Sequence, residues 1–155
     1  MAESIGMNRI LSPHFTLREL IHSPLARRHG MDNRPGPREV ARLARLATHI
    51  LEPVRTRFER PFTPSSGYRC PALNALVKSS PASQHIRGEA VDFELPGIAN
   101  RDLAGWIRDT LIFDQLILEF HNPDVPDSGW VHCSYRQGNN RQMSLIFDGR
   151  SYREF

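Results

Sequence analysis

The run Ser83-Gln84-His85-Ile86-Arg87-Gly88-Glu89-Ala90-Val91-Asp92 constrains this chain more than any other stretch. From Ala90 onward, apolar Val91, Phe93 and Leu95 alternate with Ala90, Asp92 and Glu94. Period-2 alternation marks a strand with one face on a core, so Asp92 is expected on the opposite face. His85 precedes that strand in what reads as a loop, and Gly88 lets the backbone turn so that both side chains meet. A neutral imidazole and a carboxylate are donors that suit zinc. Two donors do not close a site, so later strands must supply the rest.

Residues 1–13 read as an N-terminal tail and residues 14–155 as a single domain, long enough to bury its own core. Thr16 with Glu19 three positions later is a capping-box signature, and Leu17, Leu20, Ile21 and Leu25 give the short helix its apolar side. Pro37 opens the longest helix, in which Val40, Leu43, Ala47, Ile50, Val54 and Phe58 recur at helical steps. Pro53 lacks an amide donor and is expected to kink that helix or end its first part. Residues 62–66 read as a short strand, 72–78 as a short helix, and Asn100 as the cap of a helix running to about Leu111.

Three further strands are expected at 113–120, 130–135 and 142–147, the last turning at Asp148-Gly149 into a short tail. The fold class is therefore α+β, a small, mainly antiparallel sheet with helices packed on one side. In the strand at 113–120, Glu119 falls on the face opposite Leu116 and Leu118; in that at 130–135, His132 falls opposite Val131 and Cys133. One sheet face can thus gather Asp92, Glu119 and His132, with His85 at its mouth. Catalytic zinc takes three protein ligands and keeps one position for water. His85, Asp92 and His132 supply three ligands for one zinc ion. Glu119 is then free to take a proton from water and return it to a leaving amine. A structural ion pair, with Arg69 for example, is the alternative role for Glu119. His121 reads as a loop histidine, Trp130 as packing beneath the metal, and Cys70 and Cys133 as free thiols.

No apolar run approaches the ~20 residues needed to cross a bilayer, so no membrane partner is expected. The first residues lack a secretory pattern, which points to synthesis in the cytoplasm. The net charge of +3 suits an anionic partner such as a cell-wall polymer. The basic residues are dispersed, with Arg27-Arg28 the longest run, so nucleic acid is not an expected partner.

The pattern Ser83-x-His85-x-x-Gly88-x-Ala90-x-Asp92, followed by Trp130-Val131-His132, resembles the M15 zinc peptidases, the D-alanyl-D-alanine carboxypeptidases and endolysin-type enzymes. Ser66-Gly67-Tyr68-Arg69, Asn74 and the segment Phe15-Thr16-Leu17-Arg18-Glu19-Leu20 fit the same pattern, so the resemblance spans most of the chain. It implies a Hedgehog/DD-peptidase-like fold with zinc on His85, Asp92 and His132. It also implies that Arg69 approaches the substrate carbonyl or carboxylate and that Ser83 lines the substrate pocket. The implied substrates are amide bonds of peptidoglycan stem peptides, cut by a carboxypeptidase or an endopeptidase through metal-activated water. Many relatives are phage lysins or virion-associated wall hydrolases. That implies a monomer acting on the cell wall after phage-type release or as part of a virion.

One position departs from the pattern. Many relatives carry the catalytic carboxylate three residues before the second histidine, where this chain has Gly129. Asp127 lies five before it, in the wrong register. The base is therefore assigned to Glu119, from its strand face and from similarity to a subgroup with a Leu-x-x-Glu strand. The alternative is a zinc-containing virion or wall-binding module with little or no turnover.

Overall fold

The computed structural model describes residues 5–155, and the chain enters its fold earlier than the sequence pattern implies. Within the stretch expected as a tail, β1 (Ile10–Ser12) pairs antiparallel with β2 (Phe15–Thr16). The Arg18 amide donates to the Met7 carbonyl at 2.9 Å, the Leu17 amide to Arg9 at 2.8 Å, and the Ser12 hydroxyl to Glu52 at 2.6 Å. These bonds strap the segment onto the helices, while residues 1–4 lie outside the described residues. Helix α1 (Leu17–Ile21) follows, and the Glu19 carboxylate accepts from the Thr16 amide at 2.8 Å as the capping signature requires. Helix α2 (Pro24–Arg28) is capped by Ser23.

The long helix is divided ahead of Pro53, which sits in the first turn of its last part. Helix α3 (Pro37–Leu46) passes through a π-helical turn, Ala47–Leu51, into α4 (Glu52–Phe58). The Glu52 amide reaches five residues back to the Ala47 carbonyl, so the wider turn just before Pro53 accommodates its missing donor. Val40, Leu43, Leu46, Ala47, Ile50, Leu51 and Val54 are all buried along one side of this run. Residues 62–66 do not form the expected strand; a single bridge joins Ser66 to Asp92. Pro61 and Pro64 leave that segment without the donors a ladder needs.

Helix α5 (Pro71–Leu76) leads to a 3₁₀ turn, Gln84–Arg87, which carries His85 in place of the expected loop. Strand β3 (Ala90–Phe93) follows. Helix α6 (Asn100–Thr110) is preceded by Ala99 in the cap position, so Asn100 is its first residue and not its cap. The Asn100 amide is used elsewhere, donating to Glu94 at 2.8 Å and to the Gly129 carbonyl at 2.9 Å. The remaining strands are β4 (Gln115–Glu119), β5 (Trp130–Ser134), β6 (Met143–Phe147) and β7 (Tyr152–Glu154). Strand β7 replaces the expected final tail and pairs with β6 across the Asp148-Gly149 turn.

The five-stranded sheet runs β3-β5-β4-β6-β7, antiparallel throughout except for the parallel β4–β6 pair. Val91, Phe93, Leu116, Leu118, Val131, Cys133 and Ile146 point from one face into a core shared with the helices. The fold is α+β, with a small sheet and its helices on the apolar face. The other face is left for chemistry. Among the described residues no helix is long and apolar enough to cross a membrane.

Candidate metal centre

Strand register decides which polar residues meet. Asp92 on β3 lies directly opposite His132 on β5, and Ile117 on β4 lies opposite His132 from the other side. Glu119 is paired with Trp130, two residues along, so it projects from the same face as His132. His85 arrives from the 3₁₀ turn at the end of the sheet. One ligand atom from each of His85, Asp92 and His132 lies within 4.8 Å of the others.

His85 is held on both sides. Its ring Nδ1 lies 2.7 Å from the Gly67 carbonyl, which can only accept, so Nδ1 carries the proton and Nε2 presents its lone pair to the cluster. The Arg69 amide in turn donates to the His85 carbonyl at 3.1 Å. Gly67 is required here, because a Cβ on it would collide with the Leu20 backbone carbonyl. The Tyr68 amide donates to that same carbonyl at 2.8 Å, which ties the segment to α1. Gly88 ends the turn at φ +73°, and a Cβ there would stand 2.7 Å from the Glu39 carbonyl oxygen.

Asp92 joins the two imidazoles. Its Oδ1 lies 2.9 Å from His132 Nδ1, and its Oδ2 lies 3.4 Å from both His85 Nε2 and an Arg69 guanidinium nitrogen. Burial alone would raise the Asp92 carboxyl, but His85 and His132 beside it prevail and hold it well below the usual carboxylate range. Burial pushes the His85 imidazole down, against the pull of Asp92, so the ring is kept neutral and able to ligate. Two imidazole nitrogens, one ionised carboxylate and a carbonyl that orients the first histidine form a donor set that fits zinc.

Arg69 pairs with Asp92 and also donates to the Ser66 hydroxyl at 3.2 Å and to the Asn74 side-chain oxygen at 3.4 Å. It does not pair with Glu119. Among the described residues the Glu119 carboxylate has no hydrogen-bond or ion-pair partner. Burial pushes its carboxyl above the ordinary range; His132 pulls it back by less, and Asp92 adds to the rise. A half-buried, unpaired carboxylate on the face of the cluster is equipped to accept and release a proton.

The Ser83 hydroxyl accepts from the His85 amide at 3.3 Å and so caps the 3₁₀ turn. Ser83 also lines a cleft of about 590 Å³ together with Ile117, His132 and Tyr152. Ser66, Tyr68 and Arg69 line a second cleft of about 260 Å³. His121 is buried beside Ser128 and is not one of the three clustered residues. Trp130 stacks on Phe120 with ring centroids 5.1 Å apart. Cys70 and Cys133 are free, and burial pushes the Cys133 thiol far up. The Gly67 carbonyl and the Asn100 brace on Gly129 were missed from sequence, since a backbone acceptor has no residue type to signal it.

A helix-backed sheet with a His–Asp–His cluster and a free carboxylate on its bare face is built as a metal-dependent hydrolase. The chain belongs to the Peptidase M15 family, whose family model matches residues 13–134. It is therefore a metallopeptidase, of a family that is typically zinc-dependent, and it acts on peptide substrates. Curated proteins give no significant match to the chain.

Proposed function

We propose that the protein uses one zinc ion, held by His85, Asp92 and His132, to hydrolyse amide bonds in peptidoglycan stem peptides. The observation that carries this reading is the Glu119 carboxylate, unpartnered and half-buried on the same sheet face as the cluster. When bound, the metal supplies Lewis-acid activation of water and of the scissile carbonyl. Glu119 accepts the proton of the attacking water and passes it to the leaving amine. The Arg69 guanidinium, fixed by Asp92, Ser66 and Asn74, faces the carbonyl oxygen as negative charge develops on it. Ser83 forms part of the substrate wall.

The reading covers both a carboxypeptidase and an endopeptidase cut. Residues 5–155, with β1 included, act as one catalytic domain and as a monomer. The site of action is the cell wall, reached by phage-type release or as part of a virion, without a nucleic-acid or membrane partner.

Mass spectrometry of purified peptidoglycan digested with the protein tests this reading. New amino and carboxyl ends within the stem peptides, abolished by a chelator and restored by zinc, are expected. Intact peptidoglycan, or products that a chelator leaves unchanged, would overturn it.

A further inference from the structure

A second charged feature adjoins the metal cleft. Arg38, Arg42 and Arg45 recur on one side of α3, opposite the buried Val40, Leu43 and Leu46. Together with Arg136 and Tyr135 they line a cleft of about 460 Å³. Four guanidinium groups there face one carboxylate, Glu89.

That carboxylate is already engaged. Glu89 lies 3.6 Å from Arg42 Nε and 3.2 Å from Arg87 Nε, and it accepts from the Gln84 amide at 3.3 Å. Arg136 approaches Asp114 only at 3.8 Å, and Asp114 is held by Arg141 at 2.8 Å. Among the described residues Arg38 and Arg45 have no carboxylate within salt-bridge reach. Like charges one turn apart weaken a helix slightly, so this wall carries unbalanced positive charge that an external anion would relieve.

The Tyr135–Arg136 side of the cleft is also held in place. The Tyr135 ring stacks on His49 with centroids 4.4 Å apart, and the Tyr135 amide donates to the Glu89 carbonyl at 2.9 Å. Asn140 clasps the Arg136 backbone with two bonds of 2.8 Å. Arg136 lines this cleft and also the one that holds Ser83 and His132, so the two adjoin. Arg136 lies beyond residues 13–134, outside the segment matched by the family model.

We infer that the arginine cleft is a subsite for the carboxylate groups of an acidic peptide substrate whose scissile amide lies at the His85–Asp92–His132 cluster. The inference rests on the peptidase reading above for where the scissile bond sits. Planar guanidinium forks match carboxylates in two-point contact. A concave pocket joined to the metal cleft suits the side groups of a peptide better than the backbone of a duplex.

The test is calorimetric binding at low salt by the zinc-loaded full chain. The probes are a peptide bearing three glutamates, its glutamine counterpart, and a short DNA duplex. The variants are Arg38→Gln with Arg45→Gln, and Arg136→Gln alone; thermal melts verify that each folds. Arg57→Gln with Arg150→Gln, neither lining the cleft, is the charge-matched control. The cleft variants should each weaken the glutamate peptide about tenfold, the loss of a charge-assisted contact, while the control pair leaves it unchanged. Equal weakening by the control pair, no preference for glutamate over glutamine, or tighter binding of the duplex would each overturn the inference. A glutamate preference without peptidoglycan cleavage would defeat the proposed substrate and leave the subsite standing. Cleavage without that preference would do the reverse.

Discussion

A side chain at Gly129 would collide with the main-chain carbonyl of Glu119, because the backbone at Gly129 turns directly against the end of β4. Gly129 adopts φ +73°, a conformation that glycine takes without penalty. The position where many M15 relatives carry a carboxylate therefore has no room for one here. In the proposed mechanism that role falls to Glu119 on the neighbouring strand, which pairs with Trp130, the residue after Gly129.

Gly129→Glu should destabilise the protein by about 2–4 kcal/mol, the range for steric and backbone strain in a packed region. Urea unfolding midpoints measure this. Combined with Glu119→Gln, the substitution should not restore cleavage; recovered activity would mean that the strands can separate to admit a side chain.

Glu119→Gln should lower kcat by about 10²–10⁴-fold, the usual contribution of a positioned acid–base group. Zinc content by elemental analysis should stay at one per chain, because Glu119 is not among the clustered ligands. Loss of zinc together with activity would place Glu119 in the ligand set and leave the base unassigned.

Gly67→Ala should loosen zinc without touching a ligand. The added methyl is forced against the Leu20 carbonyl, which moves the Gly67 carbonyl that orients His85. A loss in metal affinity of about 10–100-fold is expected, as for other orienting groups behind a ligand. Competition with a chromogenic chelator gives the number, and unchanged affinity would show that His85 orients itself.

Acid should weaken the fold through Asp114. Burial acts to raise this carboxyl, but hydrogen bonds from Arg141 and Gln84 outweigh it and hold it below its ordinary value. The depressed folded-state value means that the stabilisation is complete above the unfolded pKa, about 4, and is lost as pH falls through the folded value. Asp114→Asn should cost about 2–3 kcal/mol at neutral pH, the loss of hydrogen bonds to a charged group, and should flatten the acid limb. Melting temperatures of both proteins from neutral pH down into the acid range test this. Parallel curves would move the acid sensitivity elsewhere.

Alternation was legible in the sequence because a strand's two faces are a local property of its backbone. Val91 and Phe93, Leu116 and Leu118, and Val131 and Cys133 signalled the core side. That assigned Asp92, Glu119 and His132 to the bare side before any pairing was known. The capping of α1 by Thr16 and Glu19 was legible for the same reason, since all its partners lie within one turn.

Whatever depended on distant backbone was not legible. The response to Pro53 is a π turn ahead of it, with the proline in the first turn of α4, a detail that its missing donor alone does not specify. Strand β1 forms because β2 pairs with it, the Leu17 and Arg18 amides donate to the residues ahead of it and Glu52 accepts from Ser12, and β7 because β6 offers an open edge. Asn100 left the cap position for acceptors at Glu94 and Gly129. Arg69 pairs with Asp92 and not with Glu119, next to the bridge that brings Ser66 beside Asp92.

By itself, then, the sequence determined the fold class and which residues face away from the core, because both follow from side-chain periodicity along a few consecutive residues. The order β3-β5-β4, the Gly67 carbonyl behind His85 and the closed space at Gly129 were decided only in three dimensions. Each depends on where one backbone lies against another, and no spacing along the chain encodes that distance.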